Sequence, residues 1–175
     1  MAVLIHCHGF AVVDERLNKV ASSRDGAAVI WLAQSWSELD CERLYAILSA
    51  RSAVFIVEQT CPYQDLDGLD QQGIHVTASA GDGAILAYGR LLPAGARFEE
   101  PSIGRVLTTT AARGTGIGRE LMHRCLGEAR QRFRGQPIRI SAQQYLERFY
   151  RELGFVTVRG PYDEDGIPHL EMLMS

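Results

Sequence analysis

The chain has 175 residues, 18 Lys+Arg against 21 Asp+Glu (formal net charge −3), and 46% hydrophobic and 22% charged residues. A single domain of this length buries about 70% of its unfolded surface and needs neither disulfides nor metal to fold. The slight acidic balance argues against a general nucleic-acid binder, which needs excess Lys and Arg to neutralise phosphates, and the longest wholly apolar run, residues 27–33, is too short to span a bilayer.

Residues 1–26 show no sustained hydrophobic period and end in Ser22-Ser23-Arg24-Asp25-Gly26. With no basic segment ahead of Val3-Leu4-Ile5, they read as an N-terminal extension rather than a secretory signal. Cys7, Cys41, Cys61 and Cys125 are widely spaced and form no CxxC pair, so free thiols in a reducing cytoplasm are expected. His6-Cys7-His8 lacks a second cluster, and no metal site is expected. Residues 27–32 form a short strand. Ser37 is placed to cap a helix, with Glu38 and Asp40 favourable in its first turn. Leu44, Ile47, Leu48, Arg51, Val54 and Phe55 continue its inner face to about residue 57. Residues 60–73, with Pro62, Asp65, Asp67, Gly68 and Asp70, read as a loop.

Residues 75–80 and 84–92 flank Gly81-Asp82-Gly83 and predict a hairpin. Residues 102–109 form an interior strand. After a glycine-rich turn at 113–118, Leu121, Met122, Cys125, Leu126, Ala129 and Phe133 mark one face of a helix. Residues 137–142 form another strand. Residues 145–153 form a helix facing inward with Leu146, Phe149, Tyr150 and Leu153, closed by Gly154. Strands at 156–159 and 169–174 flank the acidic turn Asp163-Glu164-Asp165-Gly166. The order makes an α/β fold with mixed strand directions.

The turn Arg113-Gly114-Thr115-Gly116-Ile117-Gly118 joins a strand to an amphipathic helix. Its glycines let the backbone approach a ligand, and the helix start adds unpaired N–H donors and partial positive charge. A pyrophosphate fits that chemistry. A P-loop needs Lys-Ser/Thr after the last glycine, where Arg119-Glu120 stands. A dinucleotide fingerprint needs GxGxxG opening directly from a strand, and the spacing here is GxGxG. The pattern Q/R-x-x-G-x-G/A matches at Arg113, Gly116 and Gly118.

That motif, followed by helix, strand and Phe149-Tyr150-Arg151-Glu152-Leu153-Gly154-Phe155, resembles the GNAT N-acetyltransferase superfamily. Leu44-Tyr45, Arg51-Ser52-Ala53-Val54-Phe55-Ile56-Val57-Glu58-Gln59, Cys61-Pro62-Tyr63-Gln64-Asp65-Leu66-Asp67-Gly68, Ile103-Gly104-Arg105-Val106 and Glu164-Asp165-Gly166-Ile167-Pro168-His169 are similar to its ElaA-like branch. The resemblance covers residues 29–175 and leaves 1–28 as an extension. It implies a GNAT-like mixed, mainly antiparallel central sheet flanked by helices. It also implies direct transfer of an acetyl group from acetyl-CoA, a cosubstrate, to a primary amine on a small molecule or peptide.

By that resemblance the backbone of Val106, Leu107 and Thr108 pairs with the pantetheine arm. Arg113, Gly114, Thr115, Gly116, Ile117 and Gly118 hold the pyrophosphate, and Gln143 takes a place where many members carry Asn. Tyr150 matches the general acid; a phenol of pKa near 10 can protonate a leaving thiolate of pKa about 8.5. The attacking amine must lose a proton, yet the strand at 102–108 lacks the acidic residue some members place there and carries Arg105. Glu58, whose apolar neighbours are expected to raise its pKa, Asp67, His75 and His169 are the candidate bases.

Arg51, Arg90 and Arg105 are expected to hold a carboxylate or phosphate on the acceptor. The acidic residues of 58–70 and 163–165 are read mostly as solvated surface. The missing strand acid also motivates an alternative, a non-catalytic CoA-binding sensor or interaction module. No nucleic-acid or membrane partner is expected. Edge strands near the C-terminus make a homodimer an expectation from the fold alone.

Overall fold

The computed structural model describes residues 21–22 and 28–175, so most of the expected extension over 1–28, including His6-Cys7-His8, lies outside the described residues. Eight strands are formed. They are β1 (Ala21–Ser22), β2 (Ala28–Ser35), β3 (Ile74–Ser79), β4 (Ile85–Leu92), β5 (Ser102–Thr108), β6 (Ile138–Gln143), β7 (Val156–Glu164) and β8 (Ile167–Met174). They form one sheet in the order β1-β2-β3-β4-β5-β6-β8-β7. Strands β6 and β8 alternate between buried and less buried side chains, whereas β3 and β4 are buried on nearly every residue. Every neighbouring pair is antiparallel except β5 with β6. This is the mixed, mainly antiparallel α/β sheet the sequence predicts. No helix among the described residues is long and apolar enough to cross a membrane.

Two helices cover one face. On α2 (Ile117–Arg132), Leu121, Met122, Cys125, Leu126 and Ala129 recur at helical spacing and are buried against Val76, Ala87, Ile140 and Met172 of the sheet. The short α3 (Glu147–Glu152) adds Tyr150 to the same core. On the other face α1 (Cys41–Arg51) places Ile47 against Ile85, Tyr88 and Leu107.

The start of α1 differs from the sequence expectation. Its cap is Asp40, whose carboxylate accepts the Arg43 N–H at 2.6 Å. Ser37 is consumed by a preceding 3-10 turn (Trp36–Glu38), closed by the Ser35 N–H donating to Glu38 Oε2 at 2.7 Å. Helical structure does run on past Arg51, but as a wider π-helical segment (Ser52–Glu58). The N–H groups of Gln59 and Cys61 reach back five residues to Val54 and Ile56, each at 3.2 Å. The wider turn keeps Val54 and Phe55 on the buried face and delivers Glu58 and Gln59 to a cleft beside β5. Such insertions often mark functional sites.

Candidate active site

The cleft starts where the sheet comes apart. β5 and β6 share a single registered pair, Ser102 with Arg139, and then diverge. The reason lies in β5. Tyr88 faces Leu107 and Arg90 faces Gly104, so Arg105 and Val106 together oppose Gly89. That extra residue is a β-bulge, and within it Arg105 takes a left-handed φ of 52°. Val106, Leu107 and Thr108 then face an opening of about 550 Å³ rather than a neighbouring strand.

The glycine turn enters this cleft with Arg113 and Gly118, while Gly114, Thr115, Gly116 and Ile117 do not line it. Gly114 (φ 75°) and Gly116 (φ 89°) occupy the left-handed region, where a side chain costs about 1–2 kcal/mol. A Cβ at either would meet open space, so backbone conformation rather than crowding demands glycine there. The Thr115 hydroxyl ties the turn down by donating to the Ala112 carbonyl at 2.7 Å. The N–H groups of Arg119 and Glu120 turn back to the Gly116 carbonyl, whereas those of Gly114, Thr115, Gly116 and Gly118 meet no acceptor among the described residues. These unclaimed donors at the head of a 16-residue helix are the chemistry an anion needs.

Tyr150 stands on the cleft wall, 6% exposed. Phe149 and Phe155 hold its ring edge-on, at 5.1 and 6.0 Å between centroids. Burial pushes its pKa above the usual phenol value, so the hydroxyl stays protonated. No acceptor among the described residues claims that proton. Gln143 also lines the cleft, its amide donating to Gln59 Oε1 at 3.3 Å.

His169 also lines the cleft, paired across β6 and β8 with Gln143. Its Nδ1 lies 2.8 Å from the Ile167 carbonyl, which can only accept. The Nδ1 therefore carries the proton, and the lone pair of neutral His169 sits on Nε2. The ring lies near Tyr162, 6.2 Å between centroids.

Glu58 corrects an expectation. Its apolar neighbours in sequence do not govern its charge. Arg113 forms a double contact with it (Nη1 to Oε1 at 2.7 Å, Nη2 to Oε2 at 2.9 Å) and holds its pKa below the ordinary carboxylate value. Glu58 lines the cleft but is no ready base.

Arg51, Arg90 and Arg105 are corrected as well. Arg51 is fully buried, and Arg90 is 1% exposed. Arg51 Nε donates to Asp65 at 2.9 Å and its Nη1 to Asp70 at 2.7 Å. Arg90 forks onto Asp67 and reaches Asp70. Arg105 Nε donates to Asp65 at 2.7 Å and its Nη2 approaches Asp67 at 3.3 Å. Three guanidinium groups thus bind three carboxylates of the 60–73 loop, which is folded in rather than solvated. Asp67 and His75, also expected at the site, do not line the cleft. The Asp70 carbonyl can only accept, so His75 Nε2 donates to it at 3.0 Å while Nδ1 accepts the Tyr88 hydroxyl at 2.8 Å. The bulge and the loop are thereby fastened to each other.

This network makes stability depend on pH. Burial lowers the pKa of His75 below 6.5, against the pull of Asp70. Burial alone would raise Asp67 and Asp70, but Arg90 on the first and Arg51 on the second hold both below 3.8. All three folded pKa values are depressed, so their contributions are complete above the unfolded values and are lost as pH falls through the folded ones. Denaturant titrations should show one loss of stability beginning near pH 6.5 and another below about pH 4. His75→Asn should flatten the first; an unaltered slope there would contradict the assignment.

The sequence reading missed a polar group on the wall formed by β6, β7 and β8. Ser141 Oγ donates to Glu164 at 2.8 Å, so the Tyr162 hydroxyl, 2.7 Å away, donates to Ser141. Arg97 completes the group on Glu164 at 2.7 Å. Burial would raise Glu164, but the Ser141 hydroxyl and Arg97 hold it below the ordinary value. The partners lie 21 to 67 residues apart, and no local pattern announces them. Cys61, whose thiol donates to the Asp165 carbonyl at 3.4 Å, ties the α1 side of the cleft to the β7–β8 turn. No cluster of three or more His, Cys, Asp or Glu among the described residues is placed to hold a metal ion.

A split sheet with a bulged strand, a donor-rich glycine turn and a tyrosine on the wall defines an acyltransferase architecture of one class. Residues 43–175 match the family model described as Acetyltransferase (GNAT) domain. The chain belongs to the GNAT acetyltransferase family. It is 41% identical to protein ElaA of Escherichia coli over 144 residues, 81% of this chain and 94% of that protein. It is also 41% identical to a UPF0039 protein of Synechocystis over 143 residues, 82% and 93% of the two chains. The crystal structure of an acyl-CoA N-acyltransferase from Pseudomonas aeruginosa superposes with a TM-score of 0.80 at 42% identity, covering 84% of this chain and 99% of that one. That of E. coli ElaA gives 0.79 at 38% identity, covering 84% and 99%.

Proposed function

We propose that the protein transfers an acetyl group from acetyl-CoA to a primary amine. The observation that carries this reading is one cleft lined by the free edge of β5, by Tyr150 and by Gly118 of the glycine turn, whose N–H group, like those of Gly114, Thr115 and Gly116 beside it, meets no acceptor among the described residues. The turn takes the diphosphate of the coenzyme, and the β5 backbone pairs with its amide-bearing arm. His169 Nε2 removes the proton from the incoming ammonium, and the neutral amine attacks the thioester carbonyl carbon. As the carbon–sulfur bond breaks, Tyr150 passes its proton to the departing thiolate; the surplus proton on the acylated nitrogen returns through solvent to the Tyr150 phenolate, and His169 releases its proton to bulk water, so the enzyme is restored.

Titration calorimetry with CoA, NAD and ATP, paired with thiol release from acetyl-CoA in the presence of amines, tests the reading. CoA should bind and the other two should not, with amine-dependent thiol release. Tight CoA binding without release to any amine would instead support a non-catalytic sensor. His169→Gln should lower turnover more at pH 7 than at pH 9, where more of the amine is already neutral. A loss equal at both values would remove His169 as the base.

A further inference from the structure

The arginines on the cleft wall point to the acceptor's chemistry. Four of them, Arg90, Arg97, Arg105 and Arg113, line the cleft. Each is already matched with carboxylate. Arg90 holds Asp67 and Asp70, Arg105 holds Asp65 and Asp67, Arg97 holds Glu164, and Arg113 holds Glu58. The described residues contain no lysine. Asp165, at the β7–β8 turn, lines the cleft with no cationic partner among the described residues and leaves this end slightly negative. Among these pairs the wall carries Cys61, Tyr63, Leu92, Phe98 and Ile167, with the hydroxyls of Ser102 and Ser141 beside them, the latter already committed to Glu164. Arg97 and Arg139 lie over the Phe98 ring at 5.3 and 5.7 Å, and Arg105 lies over Tyr63 at 5.7 Å, so their guanidinium faces are covered as well.

Resting on the acetyl-transfer reading, we infer that the acceptor is an arylalkyl or alkyl amine with no carboxylate or phosphate beside its amino group. An amino acid would bring its carboxylate into a cleft whose cations are neutralised. That carboxylate would lose water without gaining a partner. A plain amine brings only a cation and an apolar body, which the wall accommodates.

Matched pairs decide the point: tyramine against tyrosine, and phenethylamine against phenylalanine. Each is assayed for kcat/KM with acetyl-CoA and for equilibrium binding to the CoA-saturated protein. The decarboxylated member should be favoured at least tenfold in both measurements. Glu164→Gln, which frees Arg97, should narrow that preference at least threefold. Equal or reversed preference overturns the inference, as does failure of both members of both pairs to bind. If the amines bind with the expected preference but none is acetylated, the inference stands and the acetyl-transfer reading fails.

Discussion

Replacing Arg51 by Met is expected to destabilise the protein by about 3–5 kcal/mol, the cost of removing one partner from a buried ion pair. Arg51 is wholly buried and makes three contacts, to the carboxylates of Asp65 and Asp70 and to the Asp65 carbonyl. Its loss strands charge in a place that water reaches poorly. Arg90 and Arg105 still hold part of each carboxylate, which keeps the cost from rising further. Arg119→Met, which breaks the exposed pair with Glu152, serves as the control and should barely move the denaturation midpoint. A loss below about 1 kcal/mol for Arg51→Met would mean that the network contributes little to the fold. Because Asp65 also holds the guanidinium of the bulged residue Arg105, the variant should also loosen β5 along the cleft.

Tyr150→Phe is expected to lower turnover by about 10²- to 10⁴-fold while leaving acetyl-CoA affinity nearly unchanged. The substitution keeps the ring, and with it the packing against Phe149 and Phe155. It removes only the hydroxyl, whose proton no acceptor among the described residues claims and which burial keeps in place. Paired measurements of kcat and of acetyl-CoA dissociation separate the two effects. Unchanged turnover would assign Tyr150 to packing, and equal losses in affinity and rate would make it a binding residue.

Local periodicity carried most of the fold. The face of α2 and the hairpin of β3 and β4 lie within a residue or two of where the pattern places them, because the helical spacing of α2's apolar residues and the Gly81-Asp82-Gly83 turn between two strand-forming runs are both written in nearby residues. The cap of α1 was misplaced because Ser37 and Asp40 are both competent acceptors. Only the turn closed by Ser35 and Glu38 decides between them. The glycine turn was legible because glycine adopts left-handed backbone at least cost, as at Gly114 and Gly116, whereas the left-handed Arg105 carries no such mark in the sequence.

The acceptor side was less legible for one physical reason: a side chain's charge is visible in a sequence, but its partner is not. Arg51, Arg90 and Arg105 read as anion holders until the 60–73 loop folds its carboxylates over them. Glu58 reads as a desolvated base until Arg113, 55 positions on, arrives beside it. The wall of Ser141, Tyr162 and Glu164 exists only through strand pairing, in which Tyr162 stands opposite His169 and His169 opposite Gln143.

A crystal structure of the protein with CoA bound tests the central claim most directly. Diphosphate oxygens should lie about 2.7–3.2 Å from the amide nitrogens of Gly114, Gly116 and Gly118, with the arm along Val106–Thr108 and the sulfur beside the Tyr150 hydroxyl. Coenzyme seated elsewhere, or a sulfur pointing away from Tyr150, would contradict it.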